Sequence, residues 1–199
     1  MKKIILAAAT AAFISSSSAY ASEENTFYLG LRGDWVKMNK TQKLKSKNSA
    51  DITASAGYYV LDNTRAEIAF SYYTDPSYKG KRNDVDTKVK SKVSTILLNG
   101  YVTLFDASVA QFFAGAGVGM SMVSGKIKST AESGKFKKKN NFAWAGHVGV
   151  DSEIASGVNL EIMYSFVDNG STKKATLPSG NISISSKGHH LGAGIRFDL

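Results

Sequence analysis

Three histidines, at 147, 189 and 190, are the residues of this chain best suited to proton transfer near neutral pH. No serine stands two residues after any of them, so a His-x-Ser nucleophile pair is missing. The chain has no cysteine, which removes thiolate nucleophiles, thiolate metal sites and disulfides together. No spacing of His, Asp and Glu suggests metal ligands. Gly115-Ala116-Gly117-Val118-Gly119 is glycine-rich, but no helix and no Lys-Ser/Thr follow it, so it fails as a phosphate cradle. No catalytic residue, metal or cofactor is therefore expected. Two sets of charges remain. Arg32, Asp34, Arg65, Glu67, Asp151, Glu161 and Arg196 are spread along the chain in otherwise apolar surroundings. If enclosed, they must pair or be solvated. The other set is lysine, which outnumbers arginine 21 to 4 and attracts anions as a point charge without bidentate geometry.

The elements that hold these charges begin after a separate leader. Lys2 and Lys3 precede an apolar run from Ile4 to Ile14, and Ala19-Tyr20-Ala21 offers a cleavage signature. Residues 1–21 read as a signal peptide, leaving 22–199 as one exported domain. The net charge of +9 would suit a nucleic-acid binder, but export argues against that partner.

Within 22–199, eight segments alternate apolar and polar residues at period two, the mark of strands with two unlike faces. The first sets Phe27, Leu29, Leu31 and Trp35 against Tyr28, Arg32 and Asp34; the last sets Leu191, Ile195, Phe197 and Leu199 against His190 and Arg196. Two architectures fit. A water-soluble sandwich or barrel hides the apolar face, and a membrane barrel turns it to lipid. Aromatics on the apolar face gather near strand ends (Phe27, Trp35, Tyr58, Tyr72, Phe142, Trp144, Tyr164, Phe166, Phe197), as interfacial girdles do. Short connections near 61–63, 105–108 and 152–157 alternate with long polar ones at 37–50, 74–92, 124–141 and 168–187. Short periplasmic turns and long outer loops are the pattern of membrane barrels. The expected fold is all-β: an eight-stranded antiparallel up-and-down transmembrane barrel in a Gram-negative outer membrane. The seven charges listed first then fall on its inner face as an ion-pair network. Tyr28, Tyr59, Tyr101, Phe113, Met163, His147 and His190 are expected to share the interior, with His189 toward lipid.

The four long loops carry +5, +3, +5 and +2, so the rest of the exported chain is net acidic and the barrel is polarised. Candidate ligand contacts are Lys37, Lys40, Lys43, Lys45 and Lys47, then Lys79, Lys81 and Arg82. Lys126, Lys128, Lys135, Lys137, Lys138, Lys139, Lys173 and Lys174 complete the set. Such a rim attracts polyanions and acidic proteins. The expected partners are outer-membrane lipid and lipopolysaccharide, and an acidic host glycoprotein or glycan; the barrel is expected to be a monomer. A narrow transport pore and a purely structural barrel are the alternatives.

Several stretches resemble a known family. They are Asn99-Gly100-Tyr101-Val102, Phe105-Asp106, Val109 to Met120 (VAQFFAGAGVGM), Lys137 to Val150 (KKKNNFAWAGHVGV), Gly157 to Phe166 (GVNLEIMYSF) and Gly194 to Leu199 (GIRFDL). The chain resembles the small outer-membrane barrels of alphaproteobacteria, in particular the Adr-type surface adhesins of rickettsiae, within the broader OmpA/OmpX/Opa-like class. The resemblance implies surface exposure, adhesion to host cells and binding of a host serum protein such as vitronectin through Lys-rich loops.

Overall fold

The computed structural model describes residues 26–39, 45–46, 48–74, 77–82, 85–107, 109–129, 133–172, 175–177, 180–182 and 185–199. The expected signal peptide, 1–21, lies outside them. Twelve strands follow in order: β1 Phe27–Met38, β2 Lys45–Ser46, β3 Ser49–Leu61, β4 Thr64–Thr74, β5 Ser77–Arg82, β6 Val85–Ala107, β7 Ala110–Ser129, β8 Ser133–Ala155, β9 Val158–Ser171, β10 Ala175–Leu177, β11 Gly180–Ile182 and β12 Ser185–Asp198. Eight of them close a ring in the order β6-β4-β3-β1-β12-β9-β8-β7, with β7 returning to β6. Every pairing in the ring is antiparallel. The eight-stranded barrel expected from alternation is the observed fold. Its closure is long-range: Tyr28 sits opposite Asp198, and Met38 opposite Gly188.

The apolar face points outward. Leu29, Leu31, Ile68, Leu98 and Val118 are 50–60% exposed, while Tyr28, Tyr59, Tyr101, Phe113 and Met163 are buried inside. On β6 the outward apolar positions run from Leu104 down-sequence to Ile96. That is roughly 30 Å of strand, or about 23 Å along the membrane normal at a tilt near 40°, close to the height of a lipid-facing band. Aromatic pairs mark its edges. Phe27–Tyr58 and Phe105–Phe112 lie at the short-turn end, and Trp144–Phe166 at the other.

The wall does not stop at that band. Much of what alternation assigned to long loops is strand: β5 with the first part of β6, the last part of β7, and the first part of β8. There the faces exchange character. Val89, Val93 and Val123 are buried, and Lys90, Lys92 and Lys126 are exposed. Above the membrane water replaces lipid outside, so apolar residues turn inward as in a soluble barrel. Two bulges accompany the change, one at Lys137–Lys138 opposite Ser124 and one at Asn169–Gly170 opposite Ser186.

Inward glycines make room for rings. A Cβ on Gly57 would collide with Tyr28, one on Gly115 with Tyr101, and one on Gly149 with Phe113. The glycine-rich run at 115–119 is thus a packing device in a narrow lumen.

Candidate functional site

The lumen is crossed by a charged layer built from five strands. Arg65 on β4 donates from Nη1 to Asp151 on β8 and from Nη2 to Glu161 on β9, both at 2.8 Å. Arg196 on β12 donates to Asp151 at 2.9 Å and lies 3.7 Å from Glu161. Arg32 on β1 reaches Asp34 at 3.1 Å and Glu161 at 3.4 Å. Glu161 therefore meets all three arginines. Aromatic faces complete the layer: the Arg65 guanidinium carbon lies 4.5 Å from the Phe113 ring centre and 4.8 Å from that of Tyr101. Arg196 lies over Tyr28 and Tyr59. Delocalised guanidinium suits both the carboxylates and the ring faces at once.

The structure corrects one member of the expected network. Glu67 is held by neutral donors, not by an arginine. The Tyr28 hydroxyl donates to Oε2, and the Tyr101 hydroxyl and Asn99 amide donate to Oε1. Arg65, two residues away on the same strand, turns its fork toward Asp151 and Glu161 and leaves Glu67 to the phenols. A further acid joins where the sequence reading had none: Asp198 lies 3.4 Å from Arg196.

Two polar clusters were not foreseen. Asp51 Oδ2 is 2.9 Å from His190 Nδ1, and His147 Nδ1 is 2.8 Å from Ser165 Oγ. Asp51 shares its strand parity with Thr53 and Ser55, which was the available signal. Nearer the outward end, Asn169 accepts from Thr95 and donates to the Tyr73 hydroxyl, while Ser121 donates to its backbone carbonyl. His147 and His190 are both buried in the lumen and His189 is exposed on the outer face beside Tyr164. A cavity of about 20 Å³ lies among Arg32, Asp51, Tyr73, Asn99, His147 and His190, room for one or two waters. Among the described residues, the charged layer and its rings fill this level of the lumen. The protein reconstituted in planar bilayers is expected to show no stable large channel; reproducible openings in folded protein would contradict the plug.

The second candidate site is the outward end. Lys40, Lys43, Lys47, Lys173 and Lys174 lie outside the described residues. Lys37 is exposed on β1, opposite His189. Lys126 and Lys138 are exposed and Lys139 is half-buried. The backbone positions of Lys45, Lys79, Lys81, Arg82, Lys128, Lys135 and Lys137 fall on strands rather than loops. Register then brings together what sequence distance separates. Lys45 stands opposite Lys79, Lys79 opposite Lys88, and Lys88 opposite Lys128, one row across four strands. One step closer to the membrane, Lys90 stands opposite Lys126 and Lys126 opposite Lys135. The sequence reading missed the rows because their members come from separate strands.

The family model described as "Outer membrane protein beta-barrel domain" matches residues 5–197. A Rickettsia conorii protein named "Putative adhesin" is 33% identical over 216 residues, covering 93% of this chain and 87% of its own length. A Rickettsia rickettsii protein of the same designation is 32% identical, with complete coverage of both chains. Among solved structures, OprG, an outer membrane protein from Pseudomonas aeruginosa, superposes with a TM-score of 0.62 at 13% identity, covering 90% of this chain and 98% of its own. Neisserial surface protein A gives 0.56 at 17% identity, covering 87% and 97%. At such identities these two structures bear on the fold alone.

Proposed function

The chain belongs to the outer membrane protein β-barrel family, and from that membership we propose that it is a surface adhesin whose outward lysines hold an acidic host glycoprotein or sulfated glycan. It is a bacterial outer-membrane protein, and the two rickettsial relatives cited above carry the adhesin designation in their names. The observation that carries the reading is the row Lys45–Lys79–Lys88–Lys128. Four cationic positions on adjacent strands, each roughly 5 Å from the next, form a linear array about 15 Å long. A polyanion of repeating charge can satisfy several positions at once, and its binding relieves the repulsion within the row. The cavity described among Arg32, Asp51 and His190 holds only one or two waters, too little for such a ligand. Nucleic acid is not the partner, because the site faces the outside of an exported protein.

The test is capture of vitronectin, and separately of heparin, by refolded protein on a surface. Changing Lys43, Lys45, Lys79, Lys88 and Lys128 to Gln is expected to weaken capture at least tenfold, by about 1.4 kcal/mol or more. The residual binding should lose most of its salt dependence. Capture by the folded variant that equals wild type at low and high salt removes the electrostatic reading.

A further inference from the structure

β8 begins at Ser133, but its pairing with β9 begins only at Trp144, opposite Asp168. From Ser133 to Asn140 it is laddered to β7: Lys128 stands opposite Ser133, Lys126 opposite Lys135, Gly125 opposite Phe136 and Met122 opposite Asn140. Among the described residues no strand pairs with the other side of this stretch. β10 comes close to β8, yet it pairs with β11 in a separate two-stranded sheet. In an antiparallel ladder every second residue turns its N–H and C=O away from the partner. The edge from 133 to 140 spans about 25 Å and so presents about four such sets to the outside. The opposite end of this upper sheet differs, because β5 already carries β2 at Tyr78 and Lys79.

Composition decides what can join the edge. Residues 133–140 read SGKFKKKN, with lysine at 135, 137, 138 and 139 and no acid. A second copy pairing edge to edge would set lysine against lysine, which weakens a sheet. The bulge at Lys137–Lys138 also bends the strand, and the equally rigid edge of another barrel matches that bend poorly. Both features oppose self-association. Neither opposes a flexible segment of opposite charge, whose carboxylates lie beside the lysines and whose chain bends with the bulge.

We infer that the free edge of β8, Ser133–Asn140, takes up an extended acidic segment of a host protein as an added β-strand. Main-chain hydrogen bonds supply the grip, and the lysines select for carboxylates. The inference rests on the reading that this end of the barrel meets acidic host proteins. It adds the mode of contact, backbone pairing rather than charge attraction alone. It also places that contact across the sheet from Lys45.

The experiment uses the full exported chain, folded in detergent. It is titrated with a capped decapeptide of alternating Glu and Thr, and with the same peptide N-methylated at every residue. Wild type is expected to bind the unmethylated peptide at least about tenfold more tightly, since each backbone hydrogen bond contributes about two- to tenfold. Amide hydrogen exchange at 133–140 is expected to slow at least about tenfold in the bound state. The variant K135Q/K137Q/K138Q/K139Q, shown to be folded by its heat-dependent gel mobility, is expected to lose most of the peptide affinity. The variant K45Q/K79Q/K88Q/K128Q removes the same charge elsewhere and is expected to keep most of it. Three outcomes overturn the inference: equal binding of the two peptides, slowed exchange confined to the β2–β5 edge, or equal loss in both variants. Capture of vitronectin and of heparin is read separately. Its absence with peptide binding intact removes the adhesin reading alone, and its persistence with any of the three outcomes removes strand addition alone.

Discussion

Replacing Arg65 with Met is expected to cost about 3–5 kcal/mol of barrel stability, the usual penalty for removing one partner of a buried ion pair. Arg65 is 5% exposed and bridges Asp151 and Glu161. Without it, Asp151 keeps Arg196, and Glu161 keeps only the longer contacts to Arg32 and Arg196. The excess of carboxylate over guanidinium charge then grows in a space with room for few waters. The measurement is the urea midpoint of unfolding from lipid bilayers. The companion Glu161→Gln in the Arg65→Met background separates charge from packing. If uncompensated charge is the main loss, the double variant recovers at least about 1 kcal/mol relative to additivity. No recovery would place the loss in the contacts of Arg65 with Phe113 and Tyr101.

Leu98→Arg is expected to destabilise the membrane-inserted barrel by about 2 kcal/mol, because Leu98 lies outward within the lipid-facing band, one row inside its Ile96 edge. Ser94→Arg, four residues along the same face of β6, should cost no more than about 1 kcal/mol, since it sits at the interface. The contrast is the point of the pair: one strand, one face, two solvents. Equal costs at both positions in a bilayer titration would mean that the band does not end at Ile96. The apparent boundary between lipid and water on β6 would then have to be redrawn.

The same strand shows why part of the fold was legible and part was not. From Ile96 to Leu104 apolar residues alternate outward, and period two is visible without coordinates. At Val93 the phase of hydrophobicity inverts, because water rather than lipid now lies outside. Alternation read with a fixed apolar parity ends there, and Val89-Lys90-Ser91-Lys92-Val93 then looks like a polar loop rather than a strand. The lumen residues were legible for the complementary reason. A charge such as Arg32 or Glu161 within an apolar-out strand can only point inward. Which charges meet was not legible, since Arg65 and Glu161 are far apart in sequence and adjacent only once β4 and β9 face each other across the barrel. Glu67 illustrates the limit: its parity placed it inside, and only the packing of Tyr28 and Tyr101 gave it phenols instead of a guanidinium.

Sequence alone determined the number of strands in the barrel ring, the lipid-facing side of each, seven of the enclosed charges and the end of the barrel that carries lysine. All of these are local properties of composition and parity, and parity survives any register. Tertiary structure decided the partners. Ring closure set β1 against β12 and β6 against β7, and register then chose which lysines stand side by side. A register shift of two residues preserves every face yet changes every neighbour, so the lysine rows and the Arg65–Asp151–Glu161 layer exist only in the closed barrel.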